Sequence, residues 1–222
     1  MESEKTIKNS LKKKHLKGLA LDIDETISYT VLHWFEELIK HFGNPENLSA
    51  KELIAKYRYG QNVPYWQSKE ALNWMENFRR TSKVHENVPL IENSNHFVIE
   101  LNKIVPVVLY LTTRPKAVER GTRKWLNKHK FPNLDVIFKP NKIPTERGNE
   151  WKAKVLEGLY PEIVGIIDDN PSLVQNLSRS YKGTVFLYDN NESPRKDLNI
   201  IPCKTWEDIL TKVKEVRSEI GN

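Results

Sequence analysis

From residue 88 onward, short apolar runs alternate with helical patterns, and this alternation constrains the fold more than any other feature of the chain. The runs Val105–Leu111, Val136–Phe138, Ile163–Ile167 and Thr184–Tyr188 are separated by helix-like segments over 95–103, 115–130, 150–159 and 171–179. A last helical pattern covers 205–219, and an earlier run, Gly18–Ile23, reads as a further strand. VVLYL and TVFLY are apolar at nearly every position, as strands buried on both faces must be. Strands alternating with helices make βαβ units and a parallel sheet covered on both sides. The expected fold class is therefore α/β, with a doubly wound parallel sheet as its core.

Residues 29–87 carry a different pattern. VLHWFEELIKHF places apolar residues at 31, 34, 35, 38, 39 and 42, the spacing of one helix face. Gly43-Asn44-Pro45 stops that helix. Ser49 and Glu52 form a candidate capping box ahead of AKELIAKY, and Pro64 precedes a third helical pattern. The expected organisation is a basic N-terminal tail (1–17), a core built from 18–28 and 88–222, and an all-helical insertion at 29–87.

Composition narrows the function. The longest apolar stretch, Val105–Leu111, is far short of the ~20 residues a membrane-spanning helix needs. The first residues, MESEKTIKNSLKKKHLKG, lack the apolar centre of a secretory signal. A single cysteine, Cys203, excludes an internal disulfide and a cysteine-based zinc cluster, and a cytoplasmic location is expected. The net charge is +6, but six lysines and two glutamates give the first 17 residues +4 of it. A nucleic-acid footprint would be a basic stripe on the folded body, so nucleic acid is not the expected partner. The tail itself is expected to be a solvated end.

In a doubly wound sheet, ligands bind beyond the C-terminal ends of the strands. The first strand ends in Asp22-Ile23-Asp24-Glu25-Thr26, the second long one in Thr112-Thr113-Arg114-Pro115, and the third in Asp168-Asp169-Asn170. Four aspartates and a hydroxyl pair thus converge on one edge. Such crowded carboxylates need a cation, and an all-oxygen set of this kind suits Mg²⁺ shared with a substrate phosphate. Asp22 and Asp24, two residues apart at a strand exit, both reach one pocket. One can attack while the other handles the proton, as in phosphoryl transfer through an aspartyl-phosphate. A positive charge comes from the helix at 150–159. At 100° per residue, Lys152 falls in the middle of the stripe formed by Val155, Leu156 and Leu159, while Lys154 points away. A lysine in an apolar stripe needs a partner, and the acids provide one. Lys142 is a further candidate.

With acids, hydroxyl, lysine and acids in this order, the chain resembles the haloacid dehalogenase superfamily of phosphohydrolases. The four motifs read LALDIDETI, VVLYLTTRP, WKAKVL and VGIIDDNPSLV, and residues 29–87 stand where that superfamily carries a helical cap. The resemblance implies that Asp22 is the nucleophile and a Mg²⁺ ligand, and that Asp24 is the acid/base with its backbone carbonyl on the metal. It implies that Thr112 bonds the transferring phosphoryl group and that Lys152 orients Asp22. Asp168 would complete the metal shell, with Asp169 acting through water and Thr26 bracing the first loop. Thr113 and Arg114 are expected beside the substrate. Thr112 against Thr113, and Lys152 against Lys154, are the open alternatives within this set.

The expected function is a Mg²⁺-dependent phosphatase of a small phosphorylated substrate. The rivals are a receiver-like phospho-acceptor and a non-catalytic binding protein on the same fold. Substrate choice falls to the insertion, where residues 29–81 hold 10 of the 21 aromatic residues. Within YRYGQNVPYW (57–66), Tyr59 and Trp66 are expected to stack a base and Arg58 to meet a phosphate. A nucleoside monophosphate is the leading substrate class, with sugar phosphates and other phosphorylated metabolites as alternatives.

Overall fold

The computed structural model describes residues 2–220; residue 1 and residues 221–222, at the ends of the expected tail and core, lie outside it. Six strands, β1 (Gly18–Leu21), β2 (Val107–Pro115), β3 (Asp135–Lys139), β4 (Ile163–Asp168), β5 (Thr184–Tyr188) and β6 (Ile200–Cys203), form one sheet. Its order is β3-β2-β1-β4-β5-β6 and every pairing is parallel. The doubly wound α/β reading therefore holds. The order reverses at β1, so the crevice for a ligand lies beyond the C-terminal ends of β1 and its neighbours β2 and β4.

Alternate residues of the strands feed two separate cores. Leu19, Leu21, Val107 and Tyr110 pack with Val98 and Leu101 of α5 (Ser94–Asn102), Trp125 of α6 (Glu119–Lys128), and Ile209 and Val213 of α9 (Trp206–Ile220). Ala20, Leu109, Leu111 and Ile166 face the other way, onto Ala153, Leu156 and Leu159 of α7 (Gly148–Leu159) and Leu173 of α8 (Pro171–Asn176). A third core belongs to the helices between β1 and β2: α2 (Thr30–Phe42), α3 (Ala50–Tyr57) and α4 (Lys69–Arg80). The Ser49–Glu52 capping box starts α3, as the sequence predicts. This insertion rejoins the sheet tightly: a Cβ on Gly121 would lie 1.8 Å from the Ser82 carbonyl oxygen, so only glycine lets α6 approach there.

Three details depart from expectation. The N-terminal segment is not a solvated end but a helix, α1 (Glu2–Lys13), with Leu11 buried in the second core. Lys8 Nζ donates to the carbonyls of Gly158 and Tyr160 at 2.6 and 2.7 Å, placing a cation at the C-terminal end of α7. Strand β6 lies outside the strands read from the sequence; its IIPC run holds a proline, which an edge strand tolerates. Pro115 ends β2 and α6 starts only at Glu119. Among the described residues, no helix is long and apolar enough to cross a membrane.

Candidate active site

Three strand ends carry the acids and the threonine to one edge. Asp22 continues the ladder past β1, its N–H donating to the Ile167 carbonyl at 3.0 Å, so it lies beside Asp168 at the end of β4. Asp22 is 5% exposed, and Asp168 and Thr112 are fully buried. An aspartate after a strand often only caps the next helix. Here Asn170 takes that task, its side chain accepting from the Ser172 N–H at 3.0 Å with Pro171 opening α8, which leaves the carboxylate of Asp169 free of it.

Lys152 joins the acids. Its Nζ lies 2.5 Å from Asp22 Oδ1 and 2.6 Å from Asp168 Oδ2, and the residue is 2% exposed. Lys154 stands on the outer face of α7, paired with Glu150 in solvent. The helical phase thus separates two lysines two residues apart, with Lys152 on the acids. Burial opposes the Lys152 charge, but the two carboxylates outweigh it and hold the ammonium above its ordinary range.

The carboxylate oxygens of Asp22, Asp168 and Asp169 lie within 4.8 Å of one another. Burial pushes the Asp22 carboxyl up to about 7, with Lys152 opposing and Asp168 and Asp24 adding to the rise. Asp169 is raised well above the usual carboxylate range by burial and by the charges of Asp168 and Asp22. One ammonium against three carboxylates leaves this cluster short of positive charge. An all-oxygen donor set lacking a cation is what a hard divalent ion requires, so the residues fit Mg²⁺.

Asp24 sits apart from that cluster. Arg114 Nε and Nη2 donate to its Oδ1 at 2.9 and 2.7 Å, and Thr30 Oγ1 donates to the same oxygen at 2.5 Å. The other oxygen, Oδ2, receives none of these bonds. Burial alone would raise this carboxyl, but the Arg114 guanidinium holds it below the usual range. Arg114 is 3% exposed and is further bonded to Thr122 and Ser28. It borders the site, but its guanidinium is committed to Asp24, not presented to a ligand.

The remaining expected residues divide. Thr26 is fully buried and donates to Asp169 Oδ1 at 3.4 Å, so it braces the loop and offers a substrate nothing. Thr112 Oγ1 accepts from the Arg114 N–H at 3.1 Å, which leaves its own hydroxyl proton to donate. Thr113 lines a cavity of about 380 Å³ between the insertion and the sheet edge, with Asp24, Arg114 and Asn170. Tyr59 lines it from the other side. Trp66 does not: it is fully buried against Phe35, its indole N–H donating to the Gly43 carbonyl at 3.0 Å. Arg58 caps α3 in a left-handed conformation with its guanidinium over the Tyr59 ring, outside the cavity lining.

Sequence reasoning missed several cavity residues. Trp34, Arg79, His85 and Lys139 line it. Lys139 ends β3, so the strand-end rule applied to that short strand would have found it. The others sit on helices of the insertion, where no such rule exists. Glu25 was also passed over: it is pushed up to about 7 by burial and accepts the Val31 N–H at 2.7 Å, tying the first loop to the start of α2.

No family model matches the chain. A protein of Oceanobacillus iheyensis, provisionally named a nucleotidase, is 25% identical over 122 residues, which is 55% of this chain and 60% of that protein's length. Among solved structures, a haloacid dehalogenase-like family hydrolase from Xanthomonas campestris aligns with a TM-score of 0.50 at 11% identity, over 93% of this chain and 98% of that one. A hydrolase of the same superfamily from Ehrlichia chaffeensis aligns over 93% of this chain and 100% of that one, at 16% identity and a TM-score of 0.48. The chain has the fold of the haloacid dehalogenase-like hydrolases.

Proposed function

We propose that this chain is a phosphomonoesterase that works through an aspartyl-phosphate on Asp22, with Mg²⁺ as its cofactor. The observation that carries the reading is Lys152 bridging Asp22 and Asp168 in a buried cluster with Asp169. Asp22, Asp168 and Asp169, with the backbone carbonyl of Asp24, would hold the ion. Bound there, it would neutralise phosphoryl charge and bring the acids back to their ionised forms.

The protein's own groups then have distinct tasks. Asp22 attacks phosphorus with the oxygen that does not face Lys152, forming the P–O bond as the ester P–O bond breaks. Lys152 fixes the rotamer of Asp22 and offsets charge. Thr112 donates its hydroxyl proton to a phosphoryl oxygen. Asp24 gives a proton to the departing alkoxide and then takes one from the water that cleaves the aspartyl-phosphate. In the free protein Arg114 keeps Asp24 ionised, the form suited to that second step. The first step needs Asp24 to gain a proton at Oδ2, which the arriving phosphoryl charge favours.

A cavity of about 380 Å³ between the insertion and the sheet edge supports a small substrate. Trp34 and Tyr59 at its wall, and the nucleotidase name of the O. iheyensis relative, favour a nucleoside monophosphate. Phosphate release from p-nitrophenyl phosphate, with and without Mg²⁺, tests the class. Metal-dependent release that Asp22→Asn abolishes is the expected result; release that survives in that variant would overturn the reading.

A further inference from the structure

The cavity wall at the end of β3 is basic. Lys139, at the end of β3, is 5% exposed, and its Nζ donates to the Ile143 carbonyl at 2.5 Å. No carboxylate among the described residues pairs with it. A buried ammonium bonded only to a carbonyl is costly unless a counter-ion joins it. Two more cations stand near. Burial and the charges of Arg80 and Arg79 hold the Lys139 ammonium below its ordinary range. Arg79 comes from α4, across the cavity: its guanidinium lies over the Trp34 ring, 5.2 Å from the centroid, and its Nη1 donates to Thr145 Oγ1 at 2.8 Å. Arg80 is bonded to Glu76 at 2.6 Å, and Arg79 reaches the same carboxylate at 3.6 Å. Glu76 therefore answers the arginines, Glu146 is the other acid facing this group, and Lys139 remains without an anion of its own.

On the phosphatase reading the scissile phosphate meets Asp22, Lys152 and Thr112, none of which bonds Lys139 or Arg79. An aromatic and apolar wall of Trp34, Phe35 and Met75 lies on the insertion side of the same cavity. We infer that Lys139 and Arg79 form a second anion subsite, and that the substrate is a phosphomonoester whose leaving portion carries another anionic group, a phosphate or a carboxylate. The assignment of the reacting end rests on the phosphatase reading; the subsite itself does not. Because Lys139 belongs to the sheet and Arg79 to the insertion, one such anion would also bind both halves of the molecule at once.

The test is calorimetric binding to the full chain carrying Asp22→Asn, with Mg²⁺ present so that ligands stay intact. Two pairs differ by one anionic group: adenosine 3′,5′-bisphosphate against adenosine 5′-monophosphate, and 2-phosphoglycolate against ethyl phosphate. A charge-assisted contact in a sheltered site should make the doubly anionic member of at least one pair bind about 10- to 100-fold tighter. The first pair reports a second phosphate, the second a carboxylate. Lys139→Met, which keeps the aliphatic stem, should remove most of the gain, and Arg79→Gln part of it. Equal binding within both pairs would overturn the subsite, as would a gain that persists in both variants. Aryl phosphate hydrolysis by the wild-type chain reports the phosphatase reading separately. Activity without the gain removes the subsite alone, and the gain without activity removes the phosphatase alone.

Discussion

The acid–lysine cluster and the aromatic insertion are both rich in residues that chemistry uses, yet they are built by opposite rules. At the sheet edge the acids and the threonine are held at strand ends, whose neighbours are the ends of adjacent strands: Asp22 lies beside Asp168, and Lys152 reaches in from α7. In the insertion most of the aromatic surface is structural. Phe35 and Trp66 form its core, Trp74 stacks on Phe78 with centroids 4.4 Å apart, and Trp34 and Tyr59 turn to the cavity. A polar residue buried at a strand end is thus a sign of chemistry, whereas an aromatic residue on a short helix is first of all packing.

The largest effect that could break this contrast is Asp22→Asn. The amide keeps the shape but is a poor nucleophile, so turnover of an aryl phosphate should fall by more than about 10²-fold, beyond the lower end of what a lost acid or base gives. Steady-state kinetics and circular dichroism together check that the fold survives. Next, Lys152→Ala should leave two buried carboxylates without their cation and lower stability by about 3–5 kcal/mol, with activity lost. Lys154→Ala, an exposed pair with Glu150, should stay within ~0.5 kcal/mol of wild type and keep its activity. Urea denaturation of both variants measures the difference; similar losses would mean the helix phase does not govern the site.

Two substitutions sharpen the division inside the insertion. Trp66→Ala should cost about 3–5 kcal/mol of stability, the range for a large buried aromatic residue. Trp34→Ala should leave the melting temperature closer to wild type while raising KM for a nucleoside monophosphate by about 5- to 150-fold, the equivalent of one lost stacking contact. If Trp34→Ala is the more destabilising and changes no KM, the wall of the cavity is packing throughout.

The smallest expected effect is a pH dependence from His85. Burial and the nearby Arg114 lower this imidazole to about 4 from an ordinary 6.5, and its Nε2 meets the Arg79 carbonyl at 3.0 Å. The native protein therefore keeps His85 neutral where the unfolded chain already binds a proton. Stability contributed by the neutral ring is complete above pH 6.5 and is lost as pH falls toward 4. At pH 5 the loss from this group should be about 2 kcal/mol relative to pH 7. His85→Gln should flatten that part of the stability curve; an unchanged acid limb would assign the effect to other groups.

Much of the site was legible because it follows from strand ends. Apolar runs located the strands, and the residues after them supplied Asp22, Asp24, Thr112, Asp168 and Asp169. The period of α7 favoured Lys152 over Lys154, and the ion pairs with Asp22 and Asp168 separate the two. Partner assignment was not legible. Arg114 was expected beside a substrate but lies on Asp24, because the guanidinium reaches back across the β1 loop to a carboxylate 90 positions away in sequence. Trp66 was expected to stack on a base but is buried, because Pro64–Trp66 folds inward as a short turn of 3₁₀ helix onto Phe35.

By itself, the sequence determined the parallel sheet, the place of the helical insertion and the edge on which the acids meet. Those follow from hydrophobic period and from chain order, which are local and additive properties. Only the tertiary structure decided which charges pair, which aromatic rings face the cavity, and that Lys139 from the sheet and Arg79 from the insertion line the same cavity. Such pairings join residues far apart in the chain, and their geometry depends on how the insertion seats on the sheet edge. That seating is set by close packing, as where α6 meets Ser82 at Gly121, and no periodic pattern along one segment encodes it.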